Sequence, residues 1–319
     1  MTRLVLPIAV LTTMLALSLP AQAQLTRTFV SAAGSDSNPC TITQPCQSFA
    51  HAYSLTAANG IVAALDPGRY GPLTISMPVT INGNGWAAIT APAAGNGITV
   101  NAGSGNVILT GLEVDGAGAA YNGIVFNSGD SLTISNCIVK DFVRADSSGE
   151  TGNGILIAPT SGNINFTIVN TIAVNNAQFG IAYLPASGSP TASGAIDHVV
   201  ATNNGGAGID INGYLASGGS AAVSISNSVA SNNAQYGIVV LAGPGIVTVT
   251  IDNDEISNNQ VGIDVASGTA VLSRSTITKN SGYGIANPGT VDTFQNNQIY
   301  ANGNGNAVLY NALTPVSPQ

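Results

Sequence analysis

Charged side chains are scarce in this sequence, so the few that cluster stand out. Of 22 charged residues, five fall within Lys140-Asp141-Phe142-Val143-Arg144-Ala145-Asp146-Ser147-Ser148-Gly149-Glu150. That set has the parts for β-elimination at a sugar acid: a base for the proton α to a carboxylate, and a cation for the enolate that forms. Arg144 or Lys140 would be the base, while Asp141, Asp146 and Glu150 would offer oxygen ligands to calcium. The plainer account is an extended loop kept soluble by its charges. A second set is Asp210 and Asp264, which occupy equivalent places in a repeat. Two carboxyl groups flanking a sugar can hydrolyse it with inversion when their surroundings split their pKa values. Asp197-His198 is the one acid–histidine neighbour pair, and no nucleophile can be assigned beside it. Asp252, Asp254 and Glu255 form an acidic corner that a solvated turn explains without any cation. Three cysteines and two distant histidines, His51 and His198, lack zinc-ligand spacing. No metal or cofactor is therefore expected, calcium entering only if the 140–150 loop is lyase-like.

These residues must be positioned by a repeat. Gly-Ile recurs with its glycine at Gly97, Gly123, Gly154, Gly180, Gly208, Gly237, Gly262 and Gly284, at spacings of 26, 31, 26, 28, 29, 25 and 22 residues. Each pair opens a short strand such as Ile155-Leu156-Ile157, whose first and third residues share a face. A second strand follows and ends near an asparagine, as in Ile168-Val169-Asn170 and Ile225-Ser226-Asn227. A third inward aliphatic lies three residues on, for example Val139, Ala173, Ala230 or Ile256, and an Asn-rich corner such as Asn232-Asn233 leads to the next Gly-Ile. His198 and Arg274 sit in the slot that Asn136, Asn170, Asn227 and Asn253 hold elsewhere. A unit of three short strands and three turns cannot bury its apolar side alone. Stacked at about 4.8 Å per layer it builds a continuous aliphatic column. The fold class is therefore all-β, a single-stranded parallel β-helix with three strands per coil and about ten coils. At its corners glycine allows positive φ, and asparagine both tolerates it and can hydrogen-bond its copy in the layer above.

The ends are read against this frame. Residues 45–58 look helical, with Phe49, Ala52 and Tyr53 on one side, and would plug the open end of the column. Residues 61–65 and 73–81 would make the first layers, Val308-Leu309-Tyr310 the last. Residues 1–23 have the pattern of an export signal: Arg3, an apolar run from Leu4 to Leu19, and Ala21-Gln22-Ala23. The expected divisions are thus 1–23 signal, 24–59 disulfide-bearing cap with a helix, 60–313 β-helix and 314–319 tail. Export to the periplasm or medium suits a disulfide between Cys40 and Cys46, which are six residues apart in a Pro-rich stretch. Cys137 reads as a buried small residue. Lys and Arg number 7 against 15 Asp and Glu, for a net charge of −8. That balance excludes nucleic acid as a partner and disfavours polyanions. No segment after the signal approaches the roughly 20 apolar residues that a membrane span needs.

The entry segment resembles that of the pectin-lyase-like superfamily. The resemblance rests on Pro45, Ser48-Phe49, Ala52, Ala57-Ala58, Gly60, Ile61, Asp66-Pro67-Gly68-Arg69-Tyr70, Leu73-Thr74-Ile75 and Val79-Thr80-Ile81-Asn82-Gly83. With the repeats it covers nearly all of the chain after residue 23. It is closest to bacterial secreted proteins described as right-handed parallel β-helix repeat-containing, which also carry an Asn-Pro-Cys to Pro-Cys step. The resemblance implies right-handed winding and places the 140–150 loop where lyases of the superfamily build one wall of their groove. It does not transfer a reaction. The polygalacturonase D-D and G-H-G motifs are absent, and Asp66-Pro67 continues with Gly68 where alginate epimerases show D-P-H-D.

The function expected from these readings is association with extracellular or envelope polysaccharide, without a catalytic motif. A lyase or epimerase using Lys140, Asp141 and Arg144 is the first alternative, and a structural or adhesive surface protein the second. Asp146, Glu150, Asp210 and Asp264 are the expected binding residues. Five of the eight outward occupants of the Gly-Ile strand are apolar, which points to a covered or inert face. No oligomeric state is implied.

Overall fold

The Gly-Ile pairs do line up. In the computed structural model, which describes residues 24–143, 151–304 and 309–317, Ile98 pairs in register with Ile124, then Ile155, Ile181, Ile209, Ile238, Ile263 and Ile285. Their strands form one parallel sheet of ten, from Leu73–Ile75 to Leu309–Tyr310. The other two sides of each coil merge round a corner into a sheet of twenty strands. Its longer strands, such as Asn163–Val169, stack Ile134, Ile168, Ile196, Ile225, Ile251 and Leu272. Its shorter strands, such as Ile172–Val174, stack Val139, Ala173, Ala201, Ala230, Ile256 and Ile277. All of these side chains are buried, and they converge on one continuous core. Branched aliphatics suit this role because they pack against their own copies above and below. The chain is a parallel β-helix of three-stranded coils.

Glycine and asparagine share the corners, as expected. The glycines of the Gly-Ile pairs do not have positive φ. They are needed because the next coil passes too close: a Cβ on Gly237 would meet the Gly262 carbonyl oxygen and Ile256 Cγ2 at 2.5 Å each. Positive φ falls to asparagines at two corners, for instance Asn170 (49°), Asn227 (51°) and Asn253 (60°) at one and Asn175 (58°), Asn232 (56°) and Asn258 (58°) at another, and to glycines at the third, as at Gly162 (89°), Gly188 (79°), Gly219 (87°) and Gly268 (85°). Asparagine tolerates this region because its short amide can bond locally.

The residue after the second corner stacks inside the column. Asn176, Asn204, Asn233, Asn259, Asn280 and Asn302 form a buried ladder, each Nδ2 donating to the next Oδ1 at 2.9–3.1 Å. Each next Oδ1 also accepts a backbone N–H from the coil before, as in Asn204 N to Asn233 Oδ1 at 3.0 Å. Buried amides are thereby satisfied without water.

The ends depart from the expected divisions. Leu25–Val30 is already a strand, in parallel register with Thr56–Ala64, so pairing begins inside the segment assigned to the cap. The helix spans only Phe49–Ser54; Ser48 Oγ accepts from His51 N to start it, and the chain turns into a strand at Thr56. Phe49, Ala52 and Tyr53 are its buried face, as their spacing suggests. Cys40 and Cys46 form the disulfide. At the other end Leu309–Tyr310 pairs with Ala286-Asn287, and Thr314–Pro315 still pairs with Asp292-Thr293, so part of the expected tail continues the sheet. Among the described residues no helix is long and apolar enough to cross a membrane.

Candidate functional site

Of the 140–150 cluster, Lys140 and Asp141 fall within the described residues. Lys140 ends the strand Ile138–Lys140, with Nζ 2.9 Å from Glu113 Oε1 and 3.7 Å from Asp115 Oδ2 of the previous coil. The hydrogen bond to Glu113 raises its pKa, which keeps the ammonium protonated and unsuited to act as a base. Asp141 occupies a positive-φ corner (63°), equivalent to Asn175, and its carbonyl accepts from Gly118 N. Arg144, Asp146 and Glu150 lie outside the described residues.

Asp210 and Asp264 come out as their spacing implies, on the outward side of the ten-stranded sheet with Val239 in register between them. This side is not open. Val125, Leu156, Ala182, Val239 and Ala286 are buried there, and Val125, Leu156, Ala182 and Leu184 form a second, smaller apolar cluster. Asp210 is only 2% exposed, and its Oδ1 has no hydrogen-bond partner among the described residues. Burial pushes its pKa up to about 7, with a smaller contribution from Asp264, which burial also raises. A carboxyl so enclosed is poorly placed to meet a polymer directly. The apolar neighbours in the sequence carried this signal.

A different column gathers exposed polar groups. At the corner between the long and short strands, the positive-φ slot is filled by Asn136, Asn170, His198, Asn227, Asn253 and Arg274. The residue before the slot stacks in register as Ser135, Val169, Asp197, Ser226, Asp252 and Ser273. Asp197 Oδ1 accepts from Asn227 Nδ2 (2.7 Å) and Ser226 Oγ (2.8 Å), while Oδ2 meets His198 Nδ1 at 2.7 Å. Those hydrogen bonds, that from Asn227 first, hold its pKa down at about 2. Asn253 Nδ2 donates to Asn227 Oδ1 at 2.8 Å. Arg274 grips Asp252 with Nε (2.9 Å) and Nη2, which keeps the Asp252 carboxyl ionised. The side chains of His198 and Arg274 remain 60% and 63% exposed.

Beneath this edge the next residue points inward. Asp254 fills that position, 4% exposed, with Oδ1 accepting from Ser228 N (2.7 Å) and Oδ2 from Asp252 N (3.0 Å). Burial raises its pKa to about 7 despite those two donors, and the charges of Asp252 and Asp197 add to the rise. The exposed corner thus offers planar donors and acceptors of both charge signs, fixed by bonds between coils. It can hydrogen-bond a polyhydroxylated surface, and the Ser226 hydroxyl beside the pair Asp197 and His198 donates to Asp197 Oδ1 and not to His198. In the sequence, His198 and Arg274 stand in the asparagine slot, and their position alone does not mark a site. The available signal was the carboxylate beside each one: Asp197 next in sequence to His198, and Asp252 one coil below Arg274.

Over part of the chain a family model agrees on the fold. Residues 191–316 match a family model described as a right handed beta helix region. A pectate lyase, Pel9A, is similar over 84% of this chain and 67% of its own, with 19% identity and a TM-score of 0.49. The Dettilon tailspike protein gp208 is similar over 88% of this chain and 68% of its own, with 13% identity and a TM-score of 0.49. No curated protein sequence matches the chain. The winding of the coils is right-handed.

Proposed function

We propose, on the premise that the chain is a right-handed parallel β-helix protein, that it associates with polysaccharide through the exposed corner of His198, Asn227, Asn253 and Arg274. The observation that carries this reading is the network between coils. Asp197, Ser226, Asn227 and Asn253 hold one another in place before any ligand arrives, so little side-chain freedom is lost on binding. Planar amide, carboxylate, imidazole and guanidinium groups on a straight edge suit the adjacent hydroxyls of a sugar chain. The net charge of −8 favours a neutral polymer over an acidic one. Export to the periplasm or medium, where such polymers occur, accords with the disulfide and the N-terminal pattern.

A panel of immobilised neutral and acidic glycans tests the reading. Retention on at least one neutral polymer is expected, with affinity falling about tenfold in Asn227→Ala and in Arg274→Ala. Uniformly negative binding, or equal binding by both variants, sinks it. Ultraviolet absorbance from new unsaturated uronate ends, with calcium present, would instead establish the lyase alternative.

A further inference from the structure

The cap holds a group that the corner reading leaves unused. Cys40 Sγ, Cys46 Sγ and a ring nitrogen of His51 all lie within 4.8 Å of one another. Both cysteines are fully buried and His51 is half-buried. The sequence separates the three by six and five residues, a spacing that hides the cluster; the short helix Phe49–Ser54 brings His51 back over the sulfurs. Its first turn is pinned by the loop that carries Cys40. Asp36 Oδ1 accepts from Gln47 N and Ser48 N at 2.9 Å each, and Oδ2 accepts from Ser48 Oγ at 2.7 Å. The sulfur-bearing segment is tied to the first strand as well, through Phe29 N to Cys40 O and Cys46 N to Phe29 O, both 2.9 Å. The three ligand residues are therefore held together by contacts that do not depend on the disulfide bond.

We propose that in its dithiol form the cap is a Cys2His site for zinc(II). A thiol or phosphine reductant cleaves the Cys40–Cys46 bond; two electrons pass to the sulfurs, two protons complete the thiols, and the reductant is oxidised. Zinc then displaces both thiol protons and takes the lone pair of the neutral imidazole, leaving a fourth position for water. Ligand atoms on one tetrahedral zinc are at most about 3.8 Å apart, given Zn–S of about 2.3 Å and Zn–N of about 2.0 Å, so on reduction the two sulfurs must separate from bonding distance while the His51 nitrogen closes on them by at most about 1 Å. Two thiolates and an imidazole favour zinc over hard cations such as calcium. One crosslink replaces the other: before oxidation the metal ties residues 40–51 across the first strand, and after oxidation the disulfide does.

Cobalt(II) and zinc(II) titrations of the full chain, reduced with a phosphine and with Cys137→Ser removing the third thiol, test the site. One equivalent of cobalt should bind with a thiolate-to-metal absorption band, and zinc should bleach it. The oxidised protein should show no band, and His51→Gln should bind at least tenfold more weakly. An equal band in the oxidised protein, unchanged affinity in His51→Gln, or no binding by the reduced chain would each overturn the proposal. Should reduction loosen the cap, the thermal midpoint gives the same answer. Zinc should raise it in the reduced chain and leave Cys40→Ser/Cys46→Ser unmoved; a midpoint indifferent to zinc in the reduced chain counts against the site. Both readouts are independent of glycan binding.

Discussion

Two asparagine columns run along this molecule with the same period and opposite fates. The inner one, Asn176 to Asn302, is buried, and each amide is bonded to the coil on either side. The outer one stands in solvent and has been invaded by His198 and Arg274. In the outer column the occupant itself has positive φ, which favours a short polar chain, whereas in the inner column positive φ falls on the residue before each ladder asparagine. The inner column favours asparagine by chemistry, since its amide can donate two hydrogen bonds and accept two along the stack. The outer column is exposed, which leaves its occupants free to change. Chemistry can be grafted onto the outer edge at small cost, and that is where charged and titratable groups have collected.

The largest effect expected to sharpen this contrast is at the inner ladder. Asn233→Ala removes the acceptor of Asn204 Nδ2 and Asn204 N and the donor to Asn259 Oδ1 and Ala201 O. Unfolding by denaturant should show a loss of about 3 kcal/mol or more; a loss below about 1 kcal/mol would break the comparison. Next comes Gly237→Ala, whose new Cβ meets backbone oxygen at 2.5 Å. About 2 kcal/mol should be lost, read the same way.

A smaller, pH-dependent effect belongs to Asp254 beneath the outer column. Its folded pKa of about 7 exceeds the ordinary 3.8, so between these values the native state binds the extra proton. Stability from this group is therefore greatest below about pH 4, falls as pH rises to about 7 and is level above. Asp210 contributes in the same direction. Thermal midpoints across pH 4 to 8 should decline less steeply in Asp254→Asn than in the parent; parallel profiles would refute the shift. The smallest effect is on the outer edge itself. His198→Asn, which restores the usual occupant, should leave the thermal midpoint unchanged, and a marked drop would show that the outer column is structural after all.

The repeat was legible because its signal is redundant. Eight Gly-Ile pairs agree on one register, so a slip at any one of them is corrected by its neighbours. The Asp210–Val239–Asp264 column followed from the same count. The strand Leu25–Val30 is not legible in the sequence because it has no Gly-Ile mark and lies within the segment 24–59 that reads as the cap. Helix 45–58 was read too long because alanine is at home in helices, while Thr56–Ala64 is held as strand by pairing with Val79-Thr80-Ile81-Asn82. Part of the 140–150 charge cluster has partners that linear spacing does not show. Lys140 pairs with Glu113, 27 residues earlier, and feels Asp141 beside it only as a weaker charge.

Sequence alone determined the coil, its three aliphatic stacks and the sulfur pair, because periodic burial must be written into every turn of the chain. Tertiary structure decided which polar groups meet water. Burial closed over Asp210, left Arg274 in the open and brought His51 to the sulfurs, and each of those outcomes depends on contacts between coils or across the cap. A linear spacing cannot record such contacts, since the same residue type at the same interval serves either side of the wall.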